Sequence, residues 1–385
     1  MQRSRQHIYA TKYVSSKEPP VGFSDLQKAI YDTAKTMSSW GKRLPLRWIH
    51  LETALDVERD AGSNILTFDL VCKLAKESSL STKSDNKEII LFLSYQHECG
   101  HVIFFKDLSN YIILKPRWLI DAFKCLVSNQ LNDDLLYSQD WADFEETGKL
   151  TDTLISDLFG KVPELKLMVY KEHLLPVLEK FDIIVKLKNK DRTSYYMPCM
   201  MNSLQFDTIC NKYDLESYNR TSWLLLEFEF LPPAFFNHVL VNYIRKFPIS
   251  SVNGKASLYR RIGVFDLEKQ CCKKLVICED KNLIAFQIWI YKDKLDKPVQ
   301  FHDFPQDLTN MVDMLSKRYQ ICCKYKVKMK CSISDYRKAE SRFEYKDLQG
   351  DTKYLCDEHG CTHECLDVYK YWFSDKVDVS YTCNY

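Results

Sequence analysis

Ten glycines in 385 residues leave this chain few places to build glycine-dependent backbone. Glycine reaches positive φ without steric cost, so it serves tight turns and lets a backbone approach a phosphate closely. Its scarcity argues against an all-β fold with many turns and against glycine-rich phosphate loops. The motifs agree. Neither G-x-x-x-x-G-K-[ST] nor G-x-G-x-x-G occurs, and Asn253-Gly254-Lys255 lacks both the upstream glycine and the following Ser or Thr. Without that cradle of backbone N–H groups a nucleotide's phosphates have no donors. No G-x-S-x-G is present, which removes the α/β-hydrolase elbow.

The composition is globular, with 45% hydrophobic and 28% charged residues. A chain of this length is expected to form two or three domains. The net charge is +2, so no global field favours DNA, RNA or an anionic membrane. No run approaches the roughly 18 apolar residues of a membrane span. The opening MQRSRQHIYATKY is polar and basic, unlike a secretory segment. Fifteen cysteines, an odd number, follow no framework spacing. Free thiols without a secretory signal point to a reducing compartment, so a cytoplasmic protein is expected.

Apolar spacing orders the elements. Leu26, Ala29, Ile30, Ala34 and Met37 follow Ser24, a candidate N-cap, and predict a helix over 24–38. Further helical stretches cover 45–55, 64–75 opening at Thr67, and 88–96 ending near Gly100. Val102–Phe105 and Tyr111–Leu114 predict a hairpin. Pro116 opens a helix with Trp118, Leu119, Ala122, Phe123 and Leu126 on one face. Helix, helix, hairpin is the outline of a winged-helix unit. Helices at 151–159 and 164–180 follow, the second kinked or split by Pro176, and then strands 182–187 and 194–199. Residues 207–220 read as a polar linker. Beyond it come a strand 223–230, a helix opened by Pro232–Pro233, strands 257–266, 272–279 and 283–291, a helix 305–320 and a strand 322–331. The expected fold class is α+β: a winged-helix-type helical subdomain, then a subdomain of antiparallel sheet plus helices.

Four constellations carry candidate chemistry. His97-Glu98-Cys99-Gly100-His101 is an H-E-x-x-H, which on one continuous helix would place two imidazoles and a general base around zinc. Gly100 and the β-prone run after it should end the helix inside the motif and turn His101 away from His97. A zinc metalloprotease is thus an alternative, less favoured than a helix end entering a hairpin. Cys356, His359, Cys361, His363 and Cys365, with Cys331 upstream, concentrate soft ligands as a structural zinc requires. Their spacing fits no standard finger, and one-residue gaps prevent all from facing one ion. The expected ligands are Cys331, Cys356 and His359, with His363 or alternatively Cys361 or Cys365; a chance thiol-rich turn is the competing reading. The run KYKVKMK (324–330) puts its lysines on one strand face. A solvated sheet face is favoured there over a nucleic-acid stripe, and a winged-helix nucleic-acid binder remains a further alternative. Finally, Tyr259, Phe265, Phe286, Trp289 and Tyr291 exceed what one buried sheet face needs, which makes them candidate anchors of a self-association surface.

Five segments occur in a telling order: RLPLRWIHLE (43–52), LKPRWLIDAF (114–123), YKEHLLPVLEKFDII (170–184), YYMPCMM (195–201) and FEFLPPAFFNHVLV (228–241). In this order they resemble the COR region (C-terminal of Roc) of Roco-family GTPases, the group that includes the leucine-rich-repeat kinases, and most of all the COR regions of invertebrate Roco-like proteins. The likeness covers about residues 40–373. It implies a first subdomain of winged-helix type packing on the GTPase domain, and a second that mediates homodimerisation. It also implies that the H-E-x-x-H leads from a helix into the wing, and that Cys356, His359 and His363 followed by Tyr371-Trp372-Phe373 form the family's tail. Tyr13–Lys17 and the helix after them resemble the last strand, guanine-side loop and last helix of a Roc GTPase domain. The P-loop, switches and guanine-reading Asp of that domain are not in this sequence.

The expected organisation is a Roc-like C-terminal remnant at 1–40, a COR-A-like winged-helix subdomain at 41–206, a COR-B-like α+β dimerisation subdomain at 207–335 and a Cys/His-rich segment at 336–385. The expected function is a non-catalytic dimerisation and interdomain-coupling module. Its partners would be a second copy and a Roc-type GTPase domain, without nucleic acid or a membrane span. A guanine-side loop alone leaves the phosphates without donors. Titration of the chain with a fluorescent GDP analogue should therefore give no saturable binding. Low-micromolar affinity would overturn this expectation.

Overall fold

The computed structural model describes residues 10–17, 21–37, 40–80, 86–127, 138–186, 194–292, 301–319, 321, 323–348 and 352–373. The chain divides into two compact units, Met1–Pro116 and Arg117–Tyr385. The expected boundaries at 40, 206 and 335 do not coincide with this division.

In the first unit the helix Phe23–Lys35 has its apolar residues at the predicted spacing, but none of them is buried. Pro45 precedes the helix Leu46–Asp60, whose Leu51 and Leu55 enter the core. The helix expected to open at Thr67 is preceded by strand β1 (Ile65–Thr67) and runs Phe68–Glu77. The Thr67 hydroxyl accepts the Leu70 N–H at 3.3 Å, a side-chain N-cap. The helix Lys87–Glu98 buries Ile89, Phe92, Leu93 and Gln96. It stops short of Gly100, whose φ of +77° is the left-handed conformation that ends helices. Strand β2 (Tyr111–Ile113) pairs antiparallel with β1, while only Ile103 bridges to Ile113 from the other arm of the predicted hairpin. The β1 pairing opposes Leu66 to Ile112 and adds both to the core of Val71, Phe92 and Leu93. A local turn signal could not reveal that longer-range partner.

The helix Pro116–Val127 begins at the predicted proline and buries Trp118, Leu119, Ala122 and Leu126. Helices Gln139–Thr147, Asp152–Gly160 and Lys171–Lys180 follow. Strands β3 (Lys149–Thr151), β4 (Val185–Lys186) and β5 (Ser194–Tyr196) form an antiparallel sheet in the order β3-β5-β4. The helix expected over 164–180 is a short 3-10 turn at Pro163–Leu165 and then Lys171–Lys180. Pro176 sits inside the latter without splitting it.

The rest of this second unit is built on a seven-stranded antiparallel sheet. Its strands are β6 (Tyr218–Arg220), β7 (Trp223–Phe228), β10 (Leu258–Tyr259), β11 (Ile262–Asp266), β12 (Lys273–Asp280), β13 (Leu283–Tyr291) and β14 (Tyr325–Lys330); the hairpin of β8 (Ser251–Val252) and β9 (Lys255–Ala256) stands apart from it. The order is β10-β11-β12-β13-β7-β14, and β6 pairs with the end of β13. Strand alternation sends Leu224, Leu226, Leu275, Ile277, Ile284, Phe286 and Ile288 to one face, where the helices Phe235–Lys246 and Phe304–Tyr319 cover them. Trp223, Leu225, Val276, Cys278, Ala285 and Trp289 face the other way. They are covered by Phe206, Ile209 and Tyr213 from the helix Phe206–Lys212 and its end, and by Tyr336. The expected linker at 207–220 is therefore core structure. Its apolar residues Ile209, Cys210 and Tyr213, with Phe206 just before it, are few, but they recur at helical spacing.

The segment expected to stand apart at 336–385 is also part of this body. Tyr345, Leu348, Cys365, Val368, Trp372 and Phe373 share one core with the sheet. Trp372 Nε1 donates to Ser222 Oγ at 2.8 Å, and Ser222 Oγ donates to the Val368 carbonyl. Sequence proximity to the cysteine-rich tail hid this aromatic anchor.

Asp182 joins the two parts of the second unit. It follows the helix Lys171–Lys180, and its side chain is 1% exposed. Arg245 Nη1 lies 2.8 Å, His238 Nδ1 3.3 Å and Arg318 Nη1 3.6 Å from its carboxylate, and the Tyr319 hydroxyl donates to it. Burial alone would raise this carboxyl's pKa. Hydrogen bonds from His238 and Tyr319 and the charges of Arg245 and Arg318 outweigh burial and hold it below the ordinary value. A carboxyl depressed in the folded state contributes stability above the unfolded carboxyl range and loses it as pH falls through the folded value. Asp182→Asn should thus cost about 2–3 kcal/mol at neutral pH, at the low end for a broken buried pair because both guanidinium groups are partly exposed. Urea unfolding should show that gap narrowing as the pH is lowered toward about 3. An equal gap at both pH values would refute the assignment.

Candidate metal centre

Strand β14 ends at Lys330, and Cys331 follows it into a tight turn. Trp223 Nε1 donates to the Ser334 carbonyl at 3.0 Å, and Gln287 Nε2 donates to the Ser332 carbonyl at 2.8 Å. Both donors come from the central sheet and fix the turn against it. Cys331 Sγ lies 2.8 Å from Ser334 Oγ. The other side of the site is the hairpin of β15 (Lys353–Cys356) and β16 (Cys361–Glu364). Gly360, at φ +62°, closes its turn, and its N–H donates to the Cys356 carbonyl at 2.8 Å.

Buried charge holds hairpin and turn together. Lys330 is fully buried, with Nζ 2.8 Å from Glu358 and donating to the carbonyls of Asp335 and Lys338 at 2.8 and 3.0 Å. Glu358 Oε1 accepts the Asp335 N–H, and the Asp357 N–H donates to Ser341 Oγ, each at 3.0 Å.

These constraints gather Cys331, Cys356, His359 and His363 so that one ligand atom from each lies within 4.8 Å of the others. His359 Nδ1 is 3.2 Å from Cys356 Sγ and 3.6 Å from Cys331 Sγ. A tetrahedral zinc with Zn–S of about 2.3 Å and Zn–N of about 2.0 Å separates sulfur from nitrogen by about 3.5 Å. Burial opposes ionisation of Cys356, but the backbone N–H groups of His359 and Glu358, with Ser341 and Cys331, outweigh it and lower its thiol pKa. At Cys331 burial prevails over the hydrogen bond from Ser334, and the neighbouring Cys356 adds to the rise.

The remaining soft residues separate as their local structure demands. Cys361 is exposed, with Sγ 3.4 Å from His363 Nε2. Cys365 is buried in the sheet's core. His363 is therefore the fourth member of the group. Among the described residues no other group of His, Cys, Asp or Glu side chains converges in this way.

The H-E-x-x-H does not converge. Its helix ends at Glu98, and the chain turns at Gly100. His97 Nδ1 lies 3.4 Å from the Val102 carbonyl and its ring packs on Phe105, whereas His101 Nδ1 is 2.7 Å from Gln96 Oε1. The lysine stripe is a solvated face at Lys324 and Lys326, which are exposed, but not at Lys330, which is buried. Lys326 pairs with Glu344 at 2.7 Å, Lys328 with Glu227 at 2.6 Å, and Lys330 is the buried partner of Glu358. Hydrogen bonds from Lys326 and Lys346 pull Glu344 down to about 2. Acids brought from other segments pair with Lys326, Lys328 and Lys330.

The proposed interface aromatics need correction. Phe265 and Phe286 are fully buried beneath the helices, and Trp289 is fully buried on the opposite sheet face. They cannot be anchors for another chain, because both sheet faces are already covered. Tyr259 remains partly buried, and Tyr291 lies at the surface against Tyr218.

Residues 45–201 match the family model described as C-terminal of Roc, COR-A domain. Over those residues the chain is similar to COR-A domains. That match bears out the resemblance to the COR region of Roco proteins. It contains three of the five ordered segments whole, and most of the first; FEFLPPAFFNHVLV lies beyond it. The H-E-x-x-H is inside COR-A, and the Cys/His group is outside. No curated protein matches the chain. Among solved structures, Methanosarcina barkeri Roco2 RocCORdC bound to GDP is similar over 48% of this chain and 52% of that one, with 12% identity and a TM-score of 0.35. The chain thus spans about half the length of that protein chain.

Because the two imidazoles of the COR-A motif make separate contacts, the protein should not hydrolyse casein above a buffer control. Glu98→Gln should leave that result unchanged. Hydrolysis by the parent chain that vanishes in Glu98→Gln would restore the metalloprotease alternative.

Proposed function

We propose that this chain is a non-catalytic COR-type module that couples a Roc-type GTPase domain to a self-associating second subdomain. The COR-A match over residues 45–201 is the observation that carries this reading. The chain order helix, strand, helix, helix, bridge, strand over 46–113 supports a winged-helix form for its first part. Phe23 and Ile30 are 42% and 60% exposed and lie on one stripe of the N-terminal helix, and Met37, 59% exposed, follows its C-terminal end. A GTPase domain's sheet is the cover this reading assigns to that stripe.

Coupling has a physical basis in the second unit. Val185, Tyr196 and Met201 belong to the COR-A match, and they are buried in the same core as the seven-stranded sheet. Asp182 adds an ionic connection to both covering helices. A packed core and a buried ion network resist independent movement, so displacement of the COR-A end would be passed to the sheet. Residues 206–373 would then act as the COR-B-like, self-associating part in a cytoplasmic signalling protein. Its contact surface would use residues at the surface, such as Tyr291 and Phe230, instead of the buried aromatics.

Sedimentation of the full chain at tens of micromolar should give a dimer, and a separately produced Roc-type GTPase domain should co-sediment with it. A monomer that binds no such domain would sink this reading. Dimerisation without GTPase-domain binding would refute the coupling part.

A further inference from the structure

We infer that Cys331, Cys356, His359 and His363 bind a structural zinc ion that fastens the hairpin Lys353–Glu364 to the end of strand β14. This does not depend on the COR reading, because the four residues lie outside the COR-A match.

The donor set selects the metal. Two sulfurs and two imidazole nitrogens form the mixed soft set of tetrahedral structural zinc sites, whereas magnesium and calcium require oxygen ligands. The existing separations need little adjustment. The Cys331–His359 distance of 3.6 Å is close to the tetrahedral value of about 3.5 Å, the Cys356–His359 distance of 3.2 Å is a little shorter, and the full set lies within 4.8 Å.

The surroundings are built to position those ligands. Cys331 and Cys356 are 4% and 0% exposed, and each leads into a tight turn held by hydrogen bonds. The turns are connected by Lys330, Glu358 and Asp335, so the cradle does not rest on the cysteines alone. Such supporting contacts orient first ligands and restrict a site to one geometry.

The hairpin supplies a reason for the metal. A two-stranded hairpin is marginal by itself. This one leaves Leu355 61% exposed and has Tyr354 packed on Phe343, with Cys356 as its buried end. Zinc would cross-link it to residue 331 and reduce the freedom of the unfolded loop, as a disulfide would, while retaining both cysteines as thiolates. Binding releases the thiol protons to solvent and involves no oxidation or reduction.

The test uses untagged full-length chain purified under reducing conditions. Elemental analysis should find about one zinc per chain, and cobalt exchange should produce the intense visible bands of a tetrahedral thiolate-containing site. Cys356→Ser and His359→Ala should each lower zinc to near zero, while Cys361→Ser should retain it. If the ligand variants do not fold, the parent chain still decides: after chelation it should recover one zinc on titration with zinc chloride and regain its thermal midpoint. A reduced parent chain that neither contains zinc nor takes it up at micromolar concentration overturns the proposal. Unchanged zinc in folded His359→Ala, or a Cys331–Cys356 disulfide as the native state under reducing conditions, also overturns it.

Discussion

Strand β13 is apolar on both faces, and the arrangement of residues 206–373 follows from covering them. Ile284, Phe286, Ile288 and Ile290 point to the helical side, while Leu283, Ala285 and Trp289 point to the other. A sheet buried on both sides needs two covering layers, since an uncovered apolar face of this size would remain in water. The helices Phe235–Lys246 and Phe304–Tyr319 provide one layer. The short helix Phe206–Lys212 and the loop bearing Tyr336 provide the other. The second layer has little regular structure of its own, so polar contacts set its position. Gln287, buried among these apolar residues, donates to carbonyls at Thr221 and Ser332 and accepts from Trp289. All three bonds satisfy an amide that would be costly to bury alone.

That layer brings the Cys/His group together. The turn after β14 must cross the sheet's second face, and Trp223 and Gln287 hold its carbonyls there. Cys331 is consequently fixed where the hairpin bearing Cys356, His359 and His363 can meet it. The buried Lys330–Glu358 pair has the same positional consequence. An ion pair of this kind need not add net stability, because desolvation opposes the attraction. Its several hydrogen bonds nevertheless define one arrangement of turn and hairpin.

The COR-A segment is tied into the second unit at its other end. The chain leaves the helix Lys171–Lys180, passes through the Asp182 network and continues into β4 and β5. The core then makes no distinction between residues before and after 206, as Val185, Tyr196 and Met201 pack with Leu224, Phe235 and Phe286. Linear signs of a boundary, such as the polar stretch 207–220, report local composition. They do not report whether a few apolar residues at helical spacing find a sheet to cover.

Strong local periods were legible directly: the helix opened by Pro116, the helices around 235–246 and 304–319, the long strands 273–280 and 283–291, and the stop at Gly100 all have a nearby steric or apolar cause. The ordered COR segments and the soft-ligand character of the C-terminal region were also legible, as were three of the four residues that converge, Cys331, Cys356 and His359. The pairing of β2 with β1, the cover on the second sheet face and the carboxylates opposite the lysine stripe were decided by tertiary structure. So was the choice of His363 over Cys361 and Cys365. Periodicity states which side of an element a residue occupies. What lies across from that side depends on contacts made by chain segments far apart, and of the five aromatics that read as surplus for one buried face, Phe265 and Phe286 were divided from Trp289 only when the fold supplied the second cover.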